Sequence, residues 1–221
     1  MSTPIKERIQ ETKGRTCEVP FCFNETHRFG RLCSYHENIE QRTGHPLGST
    51  IRKATLRPYQ QWAMSWLDEN RGEENEALRK MLEVLETILN QAKPMSILDP
   101  GTPGQRLNDW LHALHSSGVA PLEIVATMTG MFLMQELEPG LFKSDRHFGH
   151  QVAVRVFRLA PAPTGRTGRQ RYSRITTRTR DRFMELFVRS RVGANCLAFS
   201  RRMIQEREAA RDPVERELAR M

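Results

Sequence analysis

A mainly α-helical chain carrying an N-terminal zinc knuckle of treble-clef-like type, followed by a helical bundle, is what the sequence predicts. Three observations carry this. Apolar residues recur at spacings of three and four over most of the 221 residues. Three cysteines and a histidine stand in metal-ligand spacing near the start. Strand-like alternation is confined to one short run, Val152, Val154 and Val156, where helix is favoured.

The knuckle comes first. Cys17 and Cys22 are spaced C-x4-C, ten residues separate Cys22 from Cys33, and Cys33 and His36 are spaced C-x2-H. Three thiolates and an imidazole fill the tetrahedral sphere that zinc prefers and leave no open position, so the site is structural and holds one Zn(2+) per chain. Pro20 stiffens the first ligand loop, while Asn24 and Gly30 suit a segment that doubles back. A disulfide is the rival reading for two of the cysteines. The distant fourth cysteine, Cys196, a polar start without a secretory pattern and a histidine that completes the set all favour metal. His27 is an alternative fourth ligand, but Cys33 and His36, at i and i+3, share one face of a helix start. Cys196 sits in an apolar helical pattern with Leu197 and Phe199 and reads as a small buried hydrophobe.

Three regions follow from the punctuation: a zinc-finger module over 1–50, an amphipathic helical segment over 51–93, and a helical domain over 94–221 with an arginine-rich loop at 160–180. A short helix after His36 stops at Gly44 and Pro46. Pro58 reads as a first-turn residue of the next helix, which carries Trp62, Trp66 and Leu67. Leu78, Met81, Leu82, Leu85, Ile88 and Leu89 give the clearest amphipathic stripe. Seven acids over 68–86, against Arg71, Arg79 and Lys80, make a face that repels phosphate; it is a solvated helix face or a protein-docking surface. Residues 93–104, rich in proline and glycine, read as a loop. Beyond it, Leu107, Trp110, Leu111 and Leu114 form one stripe; Pro121 opens a second, mostly apolar helix, and Ser144 caps a third. Two helices and a charged, solvated tail over 206–221 close the chain.

The net charge is +8, and residues 151–202 hold thirteen arginines against Asp181 and Glu185, a local net of +11. The positive charge is therefore concentrated there, which points to a polyanionic partner. Arg166, Arg169, Arg171, Arg174 and Arg178 lie in a proline- and glycine-broken stretch suited to clamping phosphates, with Tyr172 placed to stack on a base; a basic linker without fixed contacts is the plainer reading. No apolar run approaches the roughly 20 residues of a membrane span, so a soluble bacterial cytoplasmic protein without a small-molecule substrate is expected. Catalytic patterns are wanting. The pairs His112/His115 and His147/His150 lack a third ligand in sequence, and Gly101–Gly104 and Gly165–Gly168 lack the lysine ending of a phosphate loop, so an enzyme is not expected.

Cys17, Cys22, Gly30, Leu32, Cys33, His36, Gly44, Pro46 and Leu47 resemble a zinc module of phage and plasmid DNA-binding proteins and of nucleases of the His-Asn-His type. The chain departs from it in an extra Arg31, in Glu37 where an aromatic is common and in His45 before the proline. The whole architecture, an N-terminal finger, a helical remainder and a basic surface, looks like the zinc-finger large subunit of type IV CRISPR effector complexes. That resemblance implies a non-catalytic subunit beside a guide RNA that contacts target duplex DNA, with Arg28, Arg31, Arg42, Arg52 and Lys53 facing DNA and other protein subunits as partners. A free-standing phage or plasmid DNA-binding regulator, or replication accessory, and a divergent zinc-containing nuclease are the alternatives.

Overall fold

The computed structural model describes residues 15–26, 30–72, 75–94, 101–163 and 175–218, the last eight by backbone alone. Among them run α1 (Ser34–Thr43), α2 (Lys53–Glu69), α3 (Glu76–Gln91), α4 (Pro103–Ser116), α5 (Pro121–Leu137), α6 (Asp145–Phe157), α7 (Thr177–Phe183), a π-helical turn (Met184–Val188) and α8 (Arg191–Leu218). The protein is mainly helical, as predicted. Among the described residues the only strand-type pairing is an isolated bridge between Thr16 and Glu25 in the knuckle.

Local chemistry starts most of these helices. The Asn75 side chain accepts from Leu78 N–H, Ser144 from His147 N–H and Thr176 from Thr179 N–H. Thr102 and Gln105 form a reciprocal capping box ahead of α4, with Pro103 in its first turn. Helix α1 ends where Gly44 adopts a φ of 92° and returns its N–H to the Glu40 carbonyl.

The core is built around α5. Every residue from Ile124 to Met134 is buried, because α2, α3, α6 and α8 all pack on this helix. Helix α6 is likewise buried from His147 to Phe157, which explains its valines: with no solvent face to keep polar over that stretch, alternation there carries no strand information. One apolar cluster extends from Ile51 to Met203, so the 51–93 segment and the 94–221 region share a single core. Cys17, Val19, Leu32 and Cys33 form a separate, smaller cluster in the knuckle.

Three expectations are corrected. Helix α2 begins at Lys53, which puts Pro58 inside it; the proline removes one backbone donor on an exposed face while the apolar stripe carries the helix through. The irregular stretch expected over 160–180 turns helical at Thr177, where Thr176 supplies a cap. The charged C-terminal end is a helix to Leu218 and not an irregular tail, with residues 206–210 exposed as a solvated end requires. Its first half is anchored on α2: Glu206 accepts from Trp66 Nε1 at 2.6 Å, and Arg207 lies 4.9 Å above the Trp62 ring.

Helices α5 and α2 cross closely at Gly130. A Cβ on Gly130 would fall 2.9 Å from Gln60 N and 3.0 Å from Gln60 Cα, both backbone atoms that cannot swing aside. Gly130→Ala therefore reverses the usual helical gain of up to about 1 kcal/mol and instead destabilises by roughly 1–3 kcal/mol through overpacking. Thermal unfolding checks this, with an expected fall of some 2–4 °C per kcal/mol for a chain of this size; an unchanged or raised midpoint refutes it.

Candidate metal centre and its attachment

The knuckle is laid down by main-chain bonds before any metal is considered. Cys17 N–H donates to the Asn24 carbonyl at 2.9 Å, Thr26 N–H to Arg15 at 2.8 Å and Glu18 N–H to Arg31 at 3.0 Å, so the chain doubles back as Asn24 and Gly30 suggested. Cys22 N–H closes a turn onto the Val19 carbonyl at 3.0 Å. That turn has Pro20 in its second position and, in its third, Phe21 at a φ of 63°. This is the type II pattern, in which the third position ordinarily takes glycine. A bulky aromatic there is strained, and the turn throws its ring outward: Phe21 is 94% exposed and its neighbour Phe23 87%.

Helix α1 brings Cys33, its N-cap, and His36 together. The Cys17 and Cys33 sulfurs each lie 3.4 Å from His36 Nδ1, Cys22 Sγ lies 3.8 Å from Cys33 Sγ, and all four ligand atoms fall within 4.8 Å of one another. The cysteines are unpaired, and 3.8 Å is far beyond the roughly 2.05 Å of a disulfide bond. Zinc bonds of about 2.3 Å to sulfur and 2.0–2.1 Å to nitrogen, set tetrahedrally, space sulfur pairs about 3.8 Å and sulfur–nitrogen pairs about 3.5 Å apart. The cluster matches these separations and is compatible with one structural zinc. The backbone N–H of His36 draws the Cys33 thiol down to about 6 against opposing desolvation, which favours the thiolate that a metal needs.

The module is fastened to the helical body at the other end of α1. Arg180, on α7 and only 3% exposed, donates through its two terminal nitrogens to the carbonyls of Arg42 and Gln41, the last turn of α1. His147 bonds the Ser49 carbonyl at 2.7 Å, and Gln151 Oε1 accepts from Ile51 N–H at 3.0 Å. Gly44 fits against His150: a Cβ there would come within 2.7 Å of the ring. His150 Nε2 in turn donates to Asp181 at 2.6 Å, and Arg146 holds the same carboxylate with bonds of 3.2 and 3.1 Å. Burial first, then the Arg180 and Arg146 charges, push His150 down to about 4 against the pull of Asp181, so the ring is neutral. His147 is also lowered, chiefly by burial. Both histidines are structural ties between module and body.

The predicted contact residues are dispersed. Arg31 is exposed but paired with Glu40 at 2.8 Å and Glu18 at 3.9 Å, so its charge is compensated. Arg42, Arg52, Lys53 and Arg178 are exposed, and Arg178 stands on α7 rather than in a loop. Arg28, Arg166, Arg169, Arg171, Arg174 and Tyr172 lie outside the described residues. The structure also brings Arg155 and Arg158 beside Arg52 and Lys53 around one recess, a juxtaposition across about a hundred residues that no local pattern announces. The acidic helix α3 pairs Glu76 with Lys80 at 2.6 Å and Glu83 with Arg79 at 3.7 Å along its own surface. Among the described residues, the Cys17/Cys22/Cys33/His36 group is the one cluster of metal-ligand type; neither the His112/His115 nor the His147/His150 pair belongs to one. No single described helix is long and apolar enough to cross a membrane. No protein-family model matches the chain, and no curated protein and no solved structure matches it either.

The His150 tie has a defined pH signature. With a folded value near 4 against an ordinary value of about 6.5, the unfolded chain takes the proton first as pH falls. The stabilisation is complete above about pH 6.5 and is lost toward pH 4, reaching roughly 2 kcal/mol of loss at pH 5. Urea titrations at pH 7 and pH 5 measure it. In His150→Gln this part of the slope disappears, while metal-linked pH dependence remains common to both proteins; identical slopes would refute the assignment.

Proposed function

We propose that this protein is a non-catalytic nucleic-acid-binding protein in which one zinc, held by Cys17, Cys22, Cys33 and His36, keeps a small reading surface rigid. The observation that carries the reading is Phe21. A phenylalanine in a glycine conformation, projecting almost wholly into solvent beside the metal ligands, is strain without any folding benefit. Its use is to present an aromatic face, with Phe23 and the exposed Tyr35 on the same module. Aromatic faces take up unstacked bases at about 1–3 kcal/mol each. The exposed cations Arg42, Arg52, Lys53 and Arg178 supply the attraction for phosphate that stacking alone lacks. A closed ligand set offers no open metal position for chemistry, and the buried histidines are engaged in holding the module.

The finer reading is a subunit of an RNA-guided complex of the type IV CRISPR kind, in which the finger contacts duplex DNA and the acidic exposed face of α3 meets neighbouring subunits. It rests on architecture: a finger followed by a helical body with separate basic and acidic surfaces. Purification from the native host, scored for a bound small RNA and protein partners, tests it; a protein that purifies alone and binds a defined duplex without them favours the free-standing regulator.

Elemental analysis is expected to give one zinc per chain, and Cys33→Ala is expected to unfold the knuckle, since binding energy at such a site is folding energy. Full-length protein that is metal-free and indifferent to chelator would overturn the metal reading. For the reading surface, Phe21→Gly relieves the strained turn and so leaves thermal stability equal or higher, yet weakens oligonucleotide binding about tenfold. Fluorescence anisotropy with single-stranded and duplex probes checks this; unchanged affinity for both refutes the role of Phe21.

A further inference from the structure

We propose that the recess between residues 50–53 and the last turn of α6 is a phosphate-binding site, with Arg155 as its buried anchor and Arg158, Arg52 and Lys53 around its mouth. Arg155 is 7% exposed, and its Nε has no hydrogen-bond partner. Among the described residues no carboxylate pairs with its guanidinium. Arginine does not escape such a position by losing its proton. Burial and the neighbouring Arg158 both disfavour its charge, and nothing among the described residues offsets them. A guanidinium this buried, with an unpartnered Nε and no counter-ion among the described residues, is costly enough to ask what it is for.

The surroundings answer in one direction. The recess, about 460 Å³, is lined by Arg52, Lys53, Arg155 and Arg158 with Thr50, Ile51 and Ala160, and among the described residues no acidic residue borders it. Helix α2 starts at its rim: Arg52 is the N-cap and makes no side-chain cap bond, so the positive end of that helix lies at the same place. A rival account is that Arg155 and Arg158 serve the carbonyl end of α6. It explains why they sit on the last turn but leaves Nε unpartnered, and it does not explain why two cations of another element face them.

The volume exceeds what one phosphate group needs and falls in the range of small-ligand sites. A planar guanidinium at the base, with exposed cations at the rim, suits a phosphate oxyanion. That oxyanion comes either from the backbone of a nucleic-acid strand or from a free phosphorylated molecule. The strand version rests on the function proposed above, whereas the site itself does not.

The test uses full-length, zinc-loaded protein with Arg155→Met, Arg158→Gln and Lys53→Gln. The last two are surface changes that keep the test valid should Arg155→Met fail to fold. The expectation for Arg155→Met is a thermal midpoint equal to or above that of the natural protein, since an unpartnered charge is removed. Millimolar inorganic phosphate, against chloride at equal ionic strength, raises the midpoint of the natural protein and leaves Arg155→Met unmoved. Oligonucleotide affinity falls about tenfold in Arg155→Met and Arg158→Gln, with the salt slope of log K reduced by about one for each cation lost. Stabilisation by phosphate or nucleotide, without any oligonucleotide binding, supports the site as one for a free phosphate and overturns the nucleic-acid reading. Oligonucleotide binding identical in the natural protein and all three variants, with no phosphate effect, overturns the site and leaves that reading standing. Phosphate stabilisation of equal size in Arg155→Met also overturns it.

Discussion

The buried guanidinium of Arg180, bonded to the carbonyls that end α1, is the contact on which the arrangement of the molecule turns. Helix α1 has the metal ligands at its first turn and this anchor at its last, with ten residues, about 15 Å, between them. A short helix of this kind is not stable by itself. It exists because one end is tied to the Cys/His cluster and the other to the body. Gly44 then allows the chain to leave α1 at a positive φ and pass so close to His150 that no side chain fits. Orientation of the knuckle relative to the core is thus set by a chain of contacts, Asp181 to His150, His150 to Gly44 and Arg180 to Gln41 and Arg42, in which each member depends on the next.

Much of this molecule was legible before its coordinates. The ligand set could be read because metal coordination demands particular atoms at particular spacings, and Leu78 to Leu89 because an amphipathic helix at the edge of a core repeats its apolar face. What could not be read shares a physical cause. Helix α5 from Ile124 to Met134 and α6 from His147 to Phe157 are buried on all sides, so periodicity gives no bearing on which neighbour covers which face. The arginine-rich stretch appeared uniformly basic, yet Arg180 is buried against main-chain carbonyls and Arg178, two residues earlier, faces solvent. Charge composition does not distinguish a cation that serves the fold from one that awaits a ligand. Pro58 misled for a related reason: its preference for a first turn is local, whereas the packing of Leu56, Ala63, Trp66 and Leu67 on the core extends the helix through it.

The distribution of paired and unpaired charge then gives the surface its character. On α3, glutamates meet lysine and arginine along one helix, and the resulting exposed pairs contribute little to stability. Around the last turn of α6 and the start of α2, the charged residues lining the recess are all cations among the described residues. Two α3 glutamates are matched along their own helix and the cations of the basic recess are not, although both read as charged stretches in the sequence. The long final helix adds a third pattern, in which Arg202 and Arg207 lie over the Trp66 and Trp62 rings and are spent on packing.

The body holds the knuckle mostly by its backbone. Arg180 reads the carbonyls of Gln41 and Arg42, His147 that of Ser49, and Gln151 the amide of Ile51. Side-chain identity on the outer face of the knuckle has little part in these bonds. The docking surface and the outward surface are therefore under separate constraints: substitutions at Phe21, Phe23 or Tyr35 alter what the knuckle meets without altering how it is held. Such a division lets the outward surface be retuned to new partners by single substitutions, because the geometry that presents it is secured by atoms every residue possesses.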